Sequence, residues 1–163
     1  MKRHNKLQGQ SGKENSKWSF RIKCINNLLP TLVKRKIHNP KLYQNARCQK
    51  CVGSEETQEH LSICPLDEEA WLKKEEEILI KLWNELKSDN VSTISKEHFI
   101  DVFMPRNRDK YKSRHVEMSR GLLEDEVVNS LKEEGLSSSK AQKIATKFLD
   151  KWLNFFQKEI WRE

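Results

Sequence analysis

Three cysteines and one histidine fall in a single 17-residue window, spaced Cys48-x2-Cys51-x8-His60-x3-Cys64. Thiolate and imidazole are the ligand types that a structural zinc ion takes, four at a time in a tetrahedron. A Cys-x2-Cys turn lets two thiolates meet one ion while backbone amides around the turn support them. The run from Glu55 to Cys64 (Glu-Glu-Thr-Gln-Glu-His-Leu-Ser-Ile-Cys) predicts a short helix with Thr57 as its N-cap. Four residues advance about 6 Å along one face of a helix, so His60 and Cys64 can both reach an ion held by the turn. So short a helix is marginal alone, and the metal must help to hold it. Four protein ligands leave no open position for water or substrate, so the role predicted for Zn2+ is structural.

Other uses of these cysteines fit less well. A thioredoxin-type Cys-x2-Cys needs a strand before it and a long helix after it. Here Asn39-Pro40-Lys41-Leu42-Tyr43-Gln44-Asn45-Ala46 precedes and Val52-Gly53-Ser54 follows, which is loop chemistry. A disulfide framework suits a secreted chain, yet no signal peptide precedes the cysteines.

The same stretch resembles the zinc-binding segment near the C-terminus of the reverse-transcriptase polyproteins of non-LTR retrotransposons. The residues carrying the resemblance are Cys48-Gln49-Lys50-Cys51, the acidic run Glu55-Glu56-Thr57-Gln58-Glu59-His60-Leu61, and Cys64-Pro65. Upstream, Phe20-Arg21-Ile22-Lys23 through Leu28-Leu29-Pro30-Thr31 is similar to the basic-apolar helix of that family. The resemblance spans about residues 18–66 and implies that Cys48, Cys51, His60 and Cys64 are the metal ligands. It also implies a nucleic-acid partner, RNA or DNA, contacted through the backbone. The polymerase's Tyr-x-Asp-Asp turn is absent, as are strand-alternating stretches to carry nuclease carboxylates. The expectation is a non-enzymatic fragment or descendant. The eight residues between Cys51 and His60 exceed the loop of gag-type knuckles, which argues against their single-strand binding mode.

Charge is divided along the chain. Residues 1–50 hold thirteen Lys/Arg against the one acid Glu14, and the remainder holds eighteen against twenty-three, so the parts carry +12 and −5. Such asymmetry points the first part at a polyanion. Residues 1–16, with Lys2, Arg3, Lys6 and Lys13, read as a disordered basic arm. Trp18, Ile22, Ile25 and Leu29 then recur as the apolar stripe of a helix capped near Ser16 and ended by Pro30, with Arg21 and Lys23 off the stripe. A second short helix over 31–37 carries Lys34, Arg35 and Lys36, and Lys41, Arg47 and Lys50 flank the cysteine turn. These eight cations are the candidate phosphate contacts; a merely solvated basic face is the competing reading. No recognition-helix pattern supports base readout.

The rest reads as helices. Asp67 caps a long one over 67–87, with Leu66 as a staple, Trp71, Ile78, Leu79, Leu82, Trp83 and Leu86 inward, and Lys73 to Glu77 as a polar belt. Ser95 caps a shorter one with Phe99, Val102 and Phe103 inward. Residues 105–115 form a basic patch that reads better as an interhelical loop than as a nucleic-acid contact, and His98 and His115 read as ordinary histidines. A helix over 116–134 follows, with Gly135 as C-cap, and then a terminal helix with Ile144, Phe148, Leu149, Trp152, Phe156, Ile160 and Trp161 on one face. That face either closes the core or docks a protein partner or second copy through 140–163.

The expected fold is all-α: a disordered arm (1–16), a small Cys3His zinc-stapled lobe (17–66) and a bundle of about four helices (67–163). Hydrophobic residues make up 36% and charged residues 34%, a modest apolar supply that a metal staple would supplement. No apolar run is long enough to span a bilayer, so no membrane partner is expected. Without a signal or transit pattern the expected compartment is intracellular, nuclear or cytoplasmic.

Overall fold

The structure, a computed structural model, describes residues 12–88 and 94–161. The arm expected over 1–16 lies outside them as far as residue 11, as does most of the loop after Ser88. Among the described residues eight α-helices follow one another: α1 Gly12–Ile25, α2 Leu32–His38, α3 Gln58–Ile63, α4 Glu68–Ser88, α5 Lys96–Phe103, α6 Arg108–Ser119, α7 Asp125–Glu133 and α8 Ser138–Phe155. A 3-10 turn, Pro65–Asp67, leads into α4, and a π-helical turn, Phe156–Ile160, continues α8. Among the described residues there is no strand, only an antiparallel bridge between Arg47 and Glu55. The chain is all-α.

Local chemistry sets most of the helix starts. Thr57, Ser95, Asn107 and Ser137 each accept the amide proton three residues on with the side chain. Gly135 takes φ 87°, the left-handed conformation that lets α7 stop. Thr31 does not cap α2; Glu56 does so from across the chain, its Oε1 accepting from the Leu32 amide at 3.1 Å. Nor does Asp67 cap α4, because both its oxygens accept from Lys50 Nζ at 2.8 Å. Leu66 is 67% exposed and staples nothing.

The core runs through α4, α5, α7 and α8, and its centre is aromatic. Trp71 and Trp152 stack with centroids 4.4 Å apart, and Phe155 meets the edge of the pair. Phe103 packs on Phe148 at 4.7 Å. The apolar face of α8 is thus filled from within the chain. The same cluster takes in Phe20, Cys24 and Leu29 from the N-terminal part and Leu61 from α3.

Three further expectations are corrected. First, α1 begins at Gly12, ahead of Ser16, and buries a different face: Phe20 and Cys24 go inward, while Trp18, Ile22 and Ile25 are 53%, 56% and 59% exposed. Leu29 is buried, but beyond the end of the helix. Second, residues 108–115 are helix, and the expected helix over 116–134 is broken at Gly121 (φ 75°), against which Ile25 packs. Arg114, buried to 2% exposure, donates to the carbonyls of Val102 and Phe103 at the end of α5 and pairs with Glu124 at 2.8 Å. A cation there satisfies carbonyls that the helix end leaves unpaired.

Third, Glu75 belongs to no polar belt. It is 1% exposed and accepts from Tyr111 Oη and from Trp152 Nε1, each at 2.7 Å. His115 Nε2 lies 2.7 Å from Glu75 Oε1, close enough for an ion pair though poorly aligned for a hydrogen bond. His115 Nδ1 faces the Ser62 carbonyl at 2.9 Å, and a carbonyl only accepts, so Nδ1 carries a proton. Burial, with the charge of Glu75 next, pushes the Tyr111 pKa upward and keeps its hydroxyl a donor. One carboxylate therefore ties α4, α6 and α8 together, and His115 extends the tie to α3.

Candidate metal centre

The cysteine turn is a miniature hairpin. Cys48 N–H donates to the Ser54 carbonyl at 2.8 Å, Glu56 N–H to Ala46 at 2.8 Å, and Val52 N–H back to Cys48 at 2.9 Å. Val52 sits at φ 57°, a left-handed conformation that a β-branched residue rarely adopts. That conformation turns the amides of Gly53 and Ser54 onto the Cys51 sulfur. The Leu66 amide points likewise at Cys64.

Across from the turn stands α3, with His60 on it and Cys64 at its end. The ligand atoms of Cys48, Cys51, His60 and Cys64 all lie within 4.8 Å of one another. Cys51 Sγ and His60 Nε2 are 3.3 Å apart. Bonds of about 2.3 Å to sulfur and about 2.0 Å to nitrogen would set the corners of a tetrahedron roughly 3.5 to 3.8 Å apart. The four side chains therefore need only small adjustments to hold a metal ion. Cys48 and Cys64 are buried and Cys51 and His60 half-buried, so the centre lies at the edge of the fold with two of its four side chains partly open to solvent.

Electrostatics favour a cation here. Burial opposes ionisation of Cys51, yet the Gly53 and Ser54 amides and the Cys48 and Cys64 thiols together hold its pKa below the ordinary value. Burial, reinforced by Cys48 and Cys51, pushes the Cys64 thiol up to about 12, so it is protonated near neutral pH and a bound cation would have to displace that proton. Burial also lowers the His60 pKa against the pull of Glu56 and Asp67, which keeps the ring in its neutral, ligating form near pH 7.

The supports of the centre reach into the rest of the molecule. Gln58, 1% exposed, donates from Nε2 to the carbonyls of Cys24 (2.9 Å) and Ser119 (2.8 Å), locking α3 between α1 and α6. Glu59 pairs with Arg120 at 3.1 Å. Sequence reasoning missed these residues; the only signal was a glutamine and a glutamate at the start of a helix too short to stand alone.

The eight candidate phosphate contacts meet different fates. Arg21 pairs with Asp150 of α8, and Lys50 is held by Asp67. Arg35 is half-buried, donating from Nε to the Pro30 carbonyl at 2.8 Å with its guanidinium 6.0 Å over the Tyr43 ring. Lys23 and Lys34 are half-buried, while Lys36 stands exposed on α2, Lys41 in the turn after it and Arg47 at the bridge to Glu55. Among the described residues, no helix is long and apolar enough to cross a membrane. No family model, curated protein or solved structure matches the chain.

Proposed function

We propose that the centre binds one structural Zn2+ and that the lobe it fixes is a non-catalytic module gripping the phosphate backbone of RNA or DNA. The observation carrying this reading is the convergence of four zinc-type ligand atoms within 4.8 Å, on a hairpin whose flanks carry exposed cations. Residues 17–66 hold nine Lys/Arg against three acids. The metal gives the basic segments one shape; the cations then meet phosphates and release bound counterions. The resemblance to the reverse-transcriptase zinc-binding segment supports the same reading and suggests a fragment or descendant of such a polyprotein. Lys34, Lys36, Lys41 and Arg47 are the proposed contacts, Arg21 and Lys50 being committed to partners within the chain.

Fluorescence anisotropy against labelled RNA and duplex DNA over a salt series tests it. Four contacts should give log Kd a slope of about 3 to 4 against log salt. Absence of binding at low salt, or binding without a slope, would overturn it.

A second reading, a zinc-stabilised protein-interaction module, has an observation of its own. The face of α8 first considered for a partner is filled by the core, but α1 leaves Trp18, Ile22 and Ile25 exposed. Light scattering of the full chain separates the readings. A dimer that Ile22→Glu dissociates favours the second; a monomer that binds nucleic acid favours the first.

A further inference from the structure

A line of lysines runs the length of α8 and its π-helical end: Lys140, Lys143, Lys147, Lys151 and Lys158. Spacings of 3, 4, 4 and 7 keep them on one side of the helix over about 25 Å, with steps of about 6 Å between neighbours four apart. The line borders the seam where α8 packs on α4. Two shallow grooves open along that seam, one holding Lys140, Lys143 and Lys147, the other Lys151 and Lys158 opposite Lys74 and Lys81 of α4. Phe155 lines the second groove, half-buried.

Charge here is sorted rather than merely abundant. Residues 67–163 hold eighteen Lys/Arg and twenty Asp/Glu, a slightly acidic whole. The grooves along the seam nevertheless collect seven lysines against the three glutamates Glu77, Glu85 and Glu159. Within α8 itself the one acid, Asp150, is bound by Arg21. Lys147 pairs with Glu85 at 2.7 Å and Lys74 with Glu77 at 3.0 Å, so the glutamates of the grooves are engaged but outnumbered.

We propose that the α4–α8 seam is a second polyanion track, which takes the sugar-phosphate backbone of a nucleic acid along the lysine line. It extends the nucleic-acid reading above from the zinc lobe to the helical part, and it stands on different residues. A linear row repeating every 6 Å suits a regular chain of phosphates better than the irregular carboxylates of an acidic protein. A half-buried ring in the groove offers an edge for a base without selecting one.

The test uses the full chain, a labelled 30-base-pair duplex and a labelled 30-nucleotide RNA. Lys143→Ala, Lys151→Ala and Lys158→Ala are combined in one variant, and Lys36→Ala, Lys41→Ala and Arg47→Ala in another; circular dichroism checks that both keep their helices. The seam variant should bind duplex at least tenfold more weakly at 150 mM salt, its salt slope reduced by about 2 to 3. If it binds like the parent while the lobe variant loses affinity, the seam proposal is overturned and the zinc-lobe reading stands. If the seam variant loses affinity and the lobe variant does not, the seam carries binding alone and the zinc-lobe reading falls. Failure of the parent to bind either probe at 20 mM salt, or preference for a polyglutamate peptide over both, overturns the seam proposal as well.

Discussion

Residues 17–66 and residues 67–161 are held together by different means. The second region supplies twenty-one of the buried apolar side chains, including the Trp71–Trp152 stack. The first supplies seven, three of them cysteines, and leaves eight of the ten large exposed apolar side chains on its surface. With each large side chain contributing roughly 1.5 to 3 kcal/mol on burial, the first region lacks the apolar area for an independent core. Its hairpin and single-turn helix converge instead on four metal-type ligands, and its few buried apolar groups join the core of the other region. On the proposed reading, a short basic segment keeps its surface for contacts because an ion, rather than apolar bulk, fixes its shape.

Removing the metal should separate the regions most sharply. Structural zinc contributes on the order of 10 kcal/mol in small domains, so a strong chelator should abolish amide protection over 46–64 in hydrogen exchange. Protection in α4 and α8 should persist. Equal loss in both regions would erase the contrast. Acidification acts in the same direction, because protons compete for the thiolates, so metal affinity should fall as pH falls.

Next in size is Glu75→Ala, which removes the acceptor of Tyr111 and Trp152. Leaving two buried donors unpaired costs about 1 to 3 kcal/mol each, about 3 to 5 kcal/mol together. In a chain of this size that is a fall of roughly 10 °C in Tm, measurable by calorimetry.

On α1 the two faces should respond in opposite ways. Phe20→Ala, at a 6% exposed position against Phe156, should cost about 3 kcal/mol or more. Trp18→Ser, at a 53% exposed position, should stay within about 0.5 kcal/mol in a denaturant titration. Equal effects would mean that α1 is seated on the wrong face.

An effect confined to alkaline pH concerns Cys24, whose thiol burial pushes up to about 12 from an ordinary 9.0, Arg21 opposing. A raised folded pKa gives stability that is complete below pH 9.0 and is lost as pH rises towards about 12. Cys24→Ala should flatten that part of the alkaline decline, read as denaturant midpoints from pH 8.5 to 11.

The convergence of Cys48, Cys51, His60 and Cys64 was legible because metal-ligand chemistry is written in residue type and spacing. Caps at Thr57 and Ser95 were legible because one side chain satisfies one nearby amide. The face of α1 was not. Trp18, Ile22 and Ile25 form the better stripe, but Phe20 and Cys24 face the helices that α1 meets. Glu75 hid among charged neighbours, although it sits four residues after Trp71 and three before Ile78, squarely on the buried stripe. Its partners Tyr111, His115 and Trp152 lie far along the chain, and only folding brings them together. The basic composition of 105–115 likewise masked a helix whose Arg114 and His115 point inward.

Metal content of the purified chain, by elemental analysis, bears most directly on the centre. One zinc per chain is expected, falling well below that in a Cys48→Ser, Cys64→Ser variant. A chain carrying no metal while 46–64 stays protected from exchange, or a variant keeping its full zinc, would contradict the staple.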